Sequence, residues 1–163
     1  MISLVDYLSE KKLITKRLMH NPLPRLAYDD VVLRYGLDKP DLRFGLEIFD
    51  ITELVRDCGF SVFANAVAQG GVVRALNATG AGDVLSRSHI DELTECAKKY
   101  RAKGLAYIKV KEGGELDSPI VKFLGDDVSK KIVDMFSAKP GDIIFFGADD
   151  HLVVEEALGH VRL

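Results

Sequence analysis

Val62-Phe63-Ala64-Asn65-Ala66-Val67-Ala68-Gln69-Gly70-Gly71-Val72-Val73-Arg74-Ala75-Leu76-Asn77 sets two apolar, β-type runs on either side of a glycine pair. Taken as strands around a tight turn, the two runs form an antiparallel hairpin. A similar order returns downstream, where Leu105 to Val110 and Ile120 to Leu124 flank the turn residues Gly113 and Gly114. A helix follows each pair. The first is predicted from Ser86, well placed as an N-cap, through Ile90, Leu93, Ala97 and Tyr100, and the second from Gly125-Asp126-Asp127 through Val128, Ile132, Val133 and Phe136. Strand, strand, helix, repeated once, predicts an α+β fold of two layers: a four-stranded antiparallel sheet with helices on one face.

Flanking elements extend this core. Leu4, Val5, Leu8 and Leu13 among Asp6, Glu10, Lys11 and Lys12 predict an amphipathic helix from Ser3 to about Leu18, broken by Asn21-Pro22-Leu23-Pro24. Asp29 and Asp30 open a short helix that runs to Tyr35 and ends at Gly36. Glu47 to Asp50 reads as a short strand and Thr52 to Cys58 as a helical turn or two. Beyond Lys139-Pro140-Gly141, Asp142 to Phe146 predicts one more strand, and Asp149 or Asp150 caps a helix from His151 to about Leu158, a unit expected beside the four-stranded sheet. The resulting division is 1–45 for the N-terminal helices and loop, 46–138 for the main domain and 139–163 for the C-terminal strand and helix.

The 163 residues are 47% hydrophobic, enough for a real core, and a net charge of -3 argues against a protein that coats nucleic acid. Cys58 and Cys96 have neither zinc nor disulfide-scaffold spacing and are read as reduced and buried. The N-terminus lacks the apolar centre of a signal peptide and no run approaches a membrane span, so a cytoplasmic location is expected.

Candidate chemistry is sparse. Asn77-Ala78-Thr79-Gly80-Ala81-Gly82-Asp83 resembles the DTxGAGD signature of ribokinase-type sugar kinases, whose glycine amides hold an anion, but Asn77-Ala78 replaces the leading Asp-Thr of that signature and the chain is too short for such an enzyme. Asp149-Asp150-His151 reads as a helix cap before it reads as a metal site, and His89 with Cys96 lacks further ligands. Lys98, Lys99, Arg101 and Lys103 cluster at a helix end, where they suit the helix dipole and could also meet phosphate. No GxSxG, P-loop, GxGxxG or HExxH pattern occurs.

Arg34-Tyr35-Gly36-Leu37-Asp38-Lys39-Pro40-Asp41-Leu42-Arg43-Phe44-Gly45 packs five charges, two glycines and a proline into a fixed bend, with Lys39 and Arg43 expected to pair with Asp38 and Asp41. This stretch closely resembles the RYGSDKPDLRFG signature of bacterial aspartyl-tRNA synthetases. Asp38, Lys39, Pro40, Asp41 and Arg43 match it, whereas Leu37 stands in place of the usual Ser. Further resemblances follow in order at Ala102 to Val110, Ser118 to Leu124 and Gly141 to Asp149. In that family the region is the GAD domain, an insertion between catalytic motifs two and three that is shared with the B subunit of the tRNA-dependent amidotransferase.

The resemblance implies a piece of a synthetase that, as a whole, uses ATP and magnesium to esterify tRNA with aspartate and works as a homodimer. The partner implied for this chain is the rest of that synthetase. Motif two and motif three are absent from these residues, so no catalytic residue, metal ligand or cofactor is carried over and the isolated chain is expected to be inactive. Contact with tRNA near the acceptor end would fall to Lys39, Arg43, Lys98, Lys99, Arg101 and Lys103. The alternatives are a free-standing tRNA- or protein-binding module and, more remotely, a sugar-kinase-like piece.

Overall fold

In the computed structural model, which describes residues 2–15 and 22–163, five strands form one antiparallel sheet covered by helices on both faces. In chain order the elements are α1 (Ile2–Glu10), α2 (Tyr28–Tyr35), β1 (Ile48–Asp50), α3 (Thr52–Val55), α4 (Ser61–Ala68), β2 (Val72–Ala78), α5 (Arg87–Lys99), β3 (Ala106–Val110), β4 (Leu116–Asp117), α6 (Val121–Leu124), α7 (Asp126–Phe136), β5 (Ile143–Asp149) and α8 (His151–Arg162). A single 3-10 turn at Glu112–Gly114 joins β3 to β4. The first helix therefore ends at Glu10, short of the expected Leu18, and residues 16–18 lie outside the described ones.

The opening stretch is not a hairpin. Its first half is α4, because Phe63 and Val67 stand four residues apart and bury on one helix face while Val62, Asn65 and Gln69 stay exposed. Covering those two side chains contributes about 1.5–3 kcal/mol each, and the intervening alanines carry little helical cost. The glycine pair closes this helix: the Gly70 N–H donates to Val67 O at 3.0 Å and the Gly71 N–H to Ala66 O at 2.9 Å, with Gly70 at φ 80°. That bonding is a Schellman cap, which uses glycine for the same left-handed backbone that a hairpin turn would need.

The second expected hairpin fails in the same way. Ile120 and Leu124 are buried four apart, Ser118 Oγ accepts from the Ile120 N–H at 3.2 Å, and Val121–Leu124 forms a helical turn. Strand β3 pairs with the two-residue β4 and with β5.

The sheet order is β1-β2-β5-β3-β4, so five strands replace the expected four. The additional central strand is the C-terminal one. β5 pairs with β2 over the whole range from Val72 opposite Asp149 to Ala78 opposite Ile143, and with β3 on its other edge. Its run Ile143 to Phe146 is apolar at every position because both faces are covered, which removes the alternation of a one-sided sheet.

Two hydrophobic clusters fill the two interfaces. One joins Val73, Ala75, Ile108, Ile144 and Phe146 to α3, α4, α6 and α7 through residues such as Val55, Phe63, Leu124 and Ile132. The other joins Leu76, Ile143 and Phe145 to α5 and α8 through Ile90, Ala97, Val154 and Leu158. The molecule thus has three layers instead of two. Cys58 and Cys96 are free and half-buried, less covered than their composition suggested.

Candidate functional site

The Arg34 to Gly45 bend is built on the end of α2. Gly36 terminates that helix at φ 77°, its N–H bonded to Val32 O at 2.8 Å. Beyond it, Lys39 Nζ lies 3.2 Å from Asp38 Oδ2, and Arg43 Nε donates to Asp41 Oδ1 at 2.9 Å. Both expected local pairings are present. The Arg43 hydrogen bonds hold the Asp41 carboxyl at about 2, well below its ordinary value. Arg34 donates through Nε to Glu47 at 3.0 Å and lowers the Glu47 pKa, fastening the start of the bend to its end.

The whole bend closes over Arg162 from α8. This guanidinium, only 4% exposed, donates to the backbone oxygens of Asp41 (2.6 Å), Gly45 (3.0 Å), Leu46 (3.0 Å) and Phe44 (3.3 Å). The rings of Tyr35 and Phe44 flank it at 4.9 and 4.6 Å. Burial pulls its pKa below the usual arginine value, against the nearby Tyr35, Asp41 and Glu47, yet a guanidinium stays charged throughout the working pH range. The signature stretch is therefore a loop clamped onto the end of the last helix.

A second buried charge supports the same helix. Arg74 on β2 points at α8, with Nη1 2.8 Å from Glu155 Oε1 and Nε 3.5 Å from Asp50 Oδ2. Arg74, Glu155 and Arg162 were not among the residues singled out from the sequence, because nothing local distinguishes Glu155 from its neighbour Glu156.

The basic helix end is less cationic than its spelling. Lys98 pairs with Glu95 at 2.7 Å, Arg101 with Glu156 at 3.2 Å and Lys103 with Asp149 at 3.0 Å. Lys99 is exposed and has no carboxylate partner among the described residues. Lys39 and Arg43 sit in the bend instead and belong to a separate cluster with Asp38 and Asp41.

The glycine loop does not form an open anion cradle. The Gly80 N–H donates to Asp142 Oδ1 at 2.8 Å, the Ala81 N–H to Ala78 O at 3.2 Å and the Gly82 N–H to Gly141 O at 2.8 Å. Asn77 Nδ2 and the Lys139 N–H bind the other Asp142 oxygen. Burial alone would raise the Asp142 pKa, but those donors outweigh it and the carboxyl titrates low. The kinase-like amides are thus already satisfied by the protein's own carboxylate, and they do not fit a nucleotide phosphate.

His89 serves the Ser86 cap: Ser86 Oγ accepts from the His89 N–H, and His89 Nδ1 accepts from the Ser86 N–H, both at 3.3 Å. Asp150 caps α8 by accepting from the Leu152 N–H at 3.0 Å. Among the described residues no three His, Cys, Asp or Glu side chains gather as a metal site, and no helix is long and apolar enough to cross a membrane.

The profile of the GAD domain matches residues 63–158, from the middle of α4 to within α8. The chain belongs to the GAD domain family. This GAD domain chain is 51% identical over 142 residues to the aspartate–tRNA(Asp/Asn) ligase of Anoxybacillus flavithermus, covering 87% of the chain and 24% of that protein. Over the same length and shares it is 49% identical to the aspartate–tRNA ligase of Geobacillus kaustophilus and 49% identical to the aspartate–tRNA(Asp/Asn) ligase of Symbiobacterium thermophilum. The chain spans about a quarter of the length of the relatives it matches.

Proposed function

We propose that the chain is the GAD insertion portion of an aspartate–tRNA ligase, an accessory part that shapes the enzyme around its tRNA and performs no chemistry by itself. The observation that carries this reading is near-50% identity to such ligases over 142 residues, a stretch longer than the GAD match alone. In the whole enzyme, ATP and magnesium would activate aspartate at residues outside these 163. The rest of the ligase would be the chain's constant partner, in a homodimer in the cytoplasm.

The clamp of Arg162 on the signature loop supports an accessory, architectural role. It brings the segment before the GAD match next to the segment after it, as an inserted domain requires if both connections are to meet one host. Aspartate-dependent ATP–pyrophosphate exchange tests the reading. The purified chain is expected to show no exchange under conditions in which a complete ligase is active, and exchange at a comparable rate would overturn it.

A tRNA-binding role for the helix end rests on Lys99 together with Lys98, Arg101 and Lys103, the last three moderated by their carboxylates. Salt-sensitive gel shifts of tRNA that weaken in a Lys98, Lys99 and Arg101 to Ala variant are the expected result. Binding that is untouched by those changes would reject this contact.

A further inference from the structure

We propose that the cleft between α4, the end of β5 and the segment Lys103 to Leu105 receives an extended peptide carrying an apolar residue next to a basic one. The first observation is an unfinished strand edge. The Val73 N–H donates to Thr52 Oγ1 at 3.0 Å and Val73 O accepts from the Ile51 N–H at 2.9 Å, so both groups of Val73 face away from β5. Val73 lies opposite Ala148. In an antiparallel ladder, such a pair turns the N–H and C=O of both residues outward, which aims those of Ala148 to the β3 side. Strand β3 begins only at Ala106, opposite Phe146, and neither Ala148 group has a partner among the described residues. A bare donor and acceptor on one strand residue is the template for adding another chain.

The second observation is the space beside that edge. A cavity of about 400 Å³ and another of about 270 Å³ share Val62, Lys103 and Ala148 in their walls, making one cleft with two compartments. The smaller is floored by Phe60, Phe63, Leu105 and Phe146, and suits an apolar side chain. The larger is lined by Asn65 and Gln69, one helical turn apart, whose side-chain amides have no partner among the described residues. Such free carboxamides can hydrogen-bond a peptide backbone.

Charge selects the neighbouring residue. Asp149 and Asp150 stand at the polar compartment against one cation, Lys103, and the C-terminal end of α4 adds the negative pole of its dipole. A cationic side chain fits there, and a phosphate would be repelled. This assignment stands independently of the ligase reading.

The test is amide hydrogen exchange and chemical-shift mapping on the ¹⁵N-labelled chain, with the capped pentapeptide lysine-leucine-lysine-leucine-lysine as probe. In the free chain the Ala148 amide should exchange at least about tenfold faster than that of Phe146, and the peptide should slow it while shifting the side-chain amides of Asn65 and Gln69. Val62→Lys, at an exposed position, should abolish both effects while the rest of the spectrum stays unchanged. An Ala148 amide already protected like Phe146 would overturn the proposal. So would unchanged exchange at millimolar peptide, or equal occupancy of the cleft by the glutamate-for-lysine peptide or by a cytidine-cytidine-adenosine trinucleotide.

Discussion

Arg162 Nη2 lies 2.6 Å from the carbonyl oxygen of Asp41, 121 positions earlier in the chain, and this bond centres a cluster of four backbone acceptors around one guanidinium. Hydrogen bonds to a charged donor contribute more than neutral ones, and here the alternative is four carbonyls facing a hole. Arg162→Ala is therefore expected to lower stability by about 2–4 kcal/mol, read as a shift of the urea midpoint. Arg162→Lys should recover little of the loss. A single ammonium on a flexible stem cannot span acceptors from Asp41 to Leu46 or stack between Tyr35 and Phe44.

The Arg74–Glu155 pair calls for a different experiment, because both members are buried, at 6% and 9% exposure. Arg74→Ala leaves Glu155 buried without a cation, and Glu155→Ala leaves buried Arg74 with only the longer contact to Asp50. Each should therefore be strongly destabilising, by about 3–5 kcal/mol for Arg74→Ala and somewhat less for Glu155→Ala. Replacing both with apolar side chains of similar size, Arg74→Met with Glu155→Leu, should recover most of the loss, since the desolvation of two ions disappears with them. Chemical denaturation of the two singles and the double measures this. A double variant as unstable as the sum of the singles would show that the pair is not one interacting unit.

Much of the fold is legible in the sequence where one local signal dominates. Gly36 marks the end of α2, Ser86 and Asp150 cap their helices, and the β-branched run at Val72 and Val73 becomes a strand. The misread segments are those where two periods coincide. In Val62 to Ala68, alternating and four-residue spacing both fit Phe63 and Val67, and the glycine pair serves a Schellman cap as readily as a turn. Only packing against Phe146 and the other core residues decides between them.

The site divides along the same line. Pairs one or two residues apart, Lys39 with Asp38 and Arg43 with Asp41, follow from sequence because the chain itself holds them together. Arg74 and Glu155 are 81 positions apart, so their pairing depends on β2 and α8 first meeting across the sheet. The sheet centre was equally hidden, because an apolar strand near the end of a chain carries no mark of whether it lies at the edge or in the middle.

Stability should fall in acid through carboxylates that titrate low in the folded state. Asp142 is the buried one, its charge favoured by Asn77, Gly80 and Lys139 donors over the opposing effect of burial, while half-buried Asp41 is held at about 2 by Arg43. A folded pKa below the unfolded one, which for Asp is about 3.9, gives stability that is complete above that unfolded value. It is lost as pH falls through the lower folded value. Thermal melts from pH 7 downward should stay level and then drop below about pH 4. Asp142→Asn should flatten that drop and lower stability at neutral pH by about 1–3 kcal/mol, since one amide cannot accept from donors on both sides of the former carboxylate. Asp41→Asn should have its largest effect at low salt, because its ion-pair partner Arg43 is exposed and open to screening.

Two glycines meet where the end of α2 crosses α8, Gly36 and Gly159. A Cβ on Gly36 would stand 2.3 Å from Glu155 O and 2.7 Å from Gly159 Cα, in a backbone at φ 77° that side chains resist. A Cβ on Gly159 would meet the Leu37 side chain at 2.8 Å and Gly36 backbone at 3.0 Å. Gly36→Ala combines the left-handed penalty, about 1–2 kcal/mol, with a collision against backbone that cannot rotate away. It should therefore lower the melting temperature more than Gly159→Ala, where Leu37 has some freedom to turn and alanine favours the helix. Pairing Gly159→Ala with Leu37→Ser removes the nearest obstructing atom and should recover part of its loss, whereas Gly36→Ala with Leu37→Ser should recover none. Equal recovery in the two pairs would mean that the crossing relaxes as a unit instead of through the Leu37 side chain.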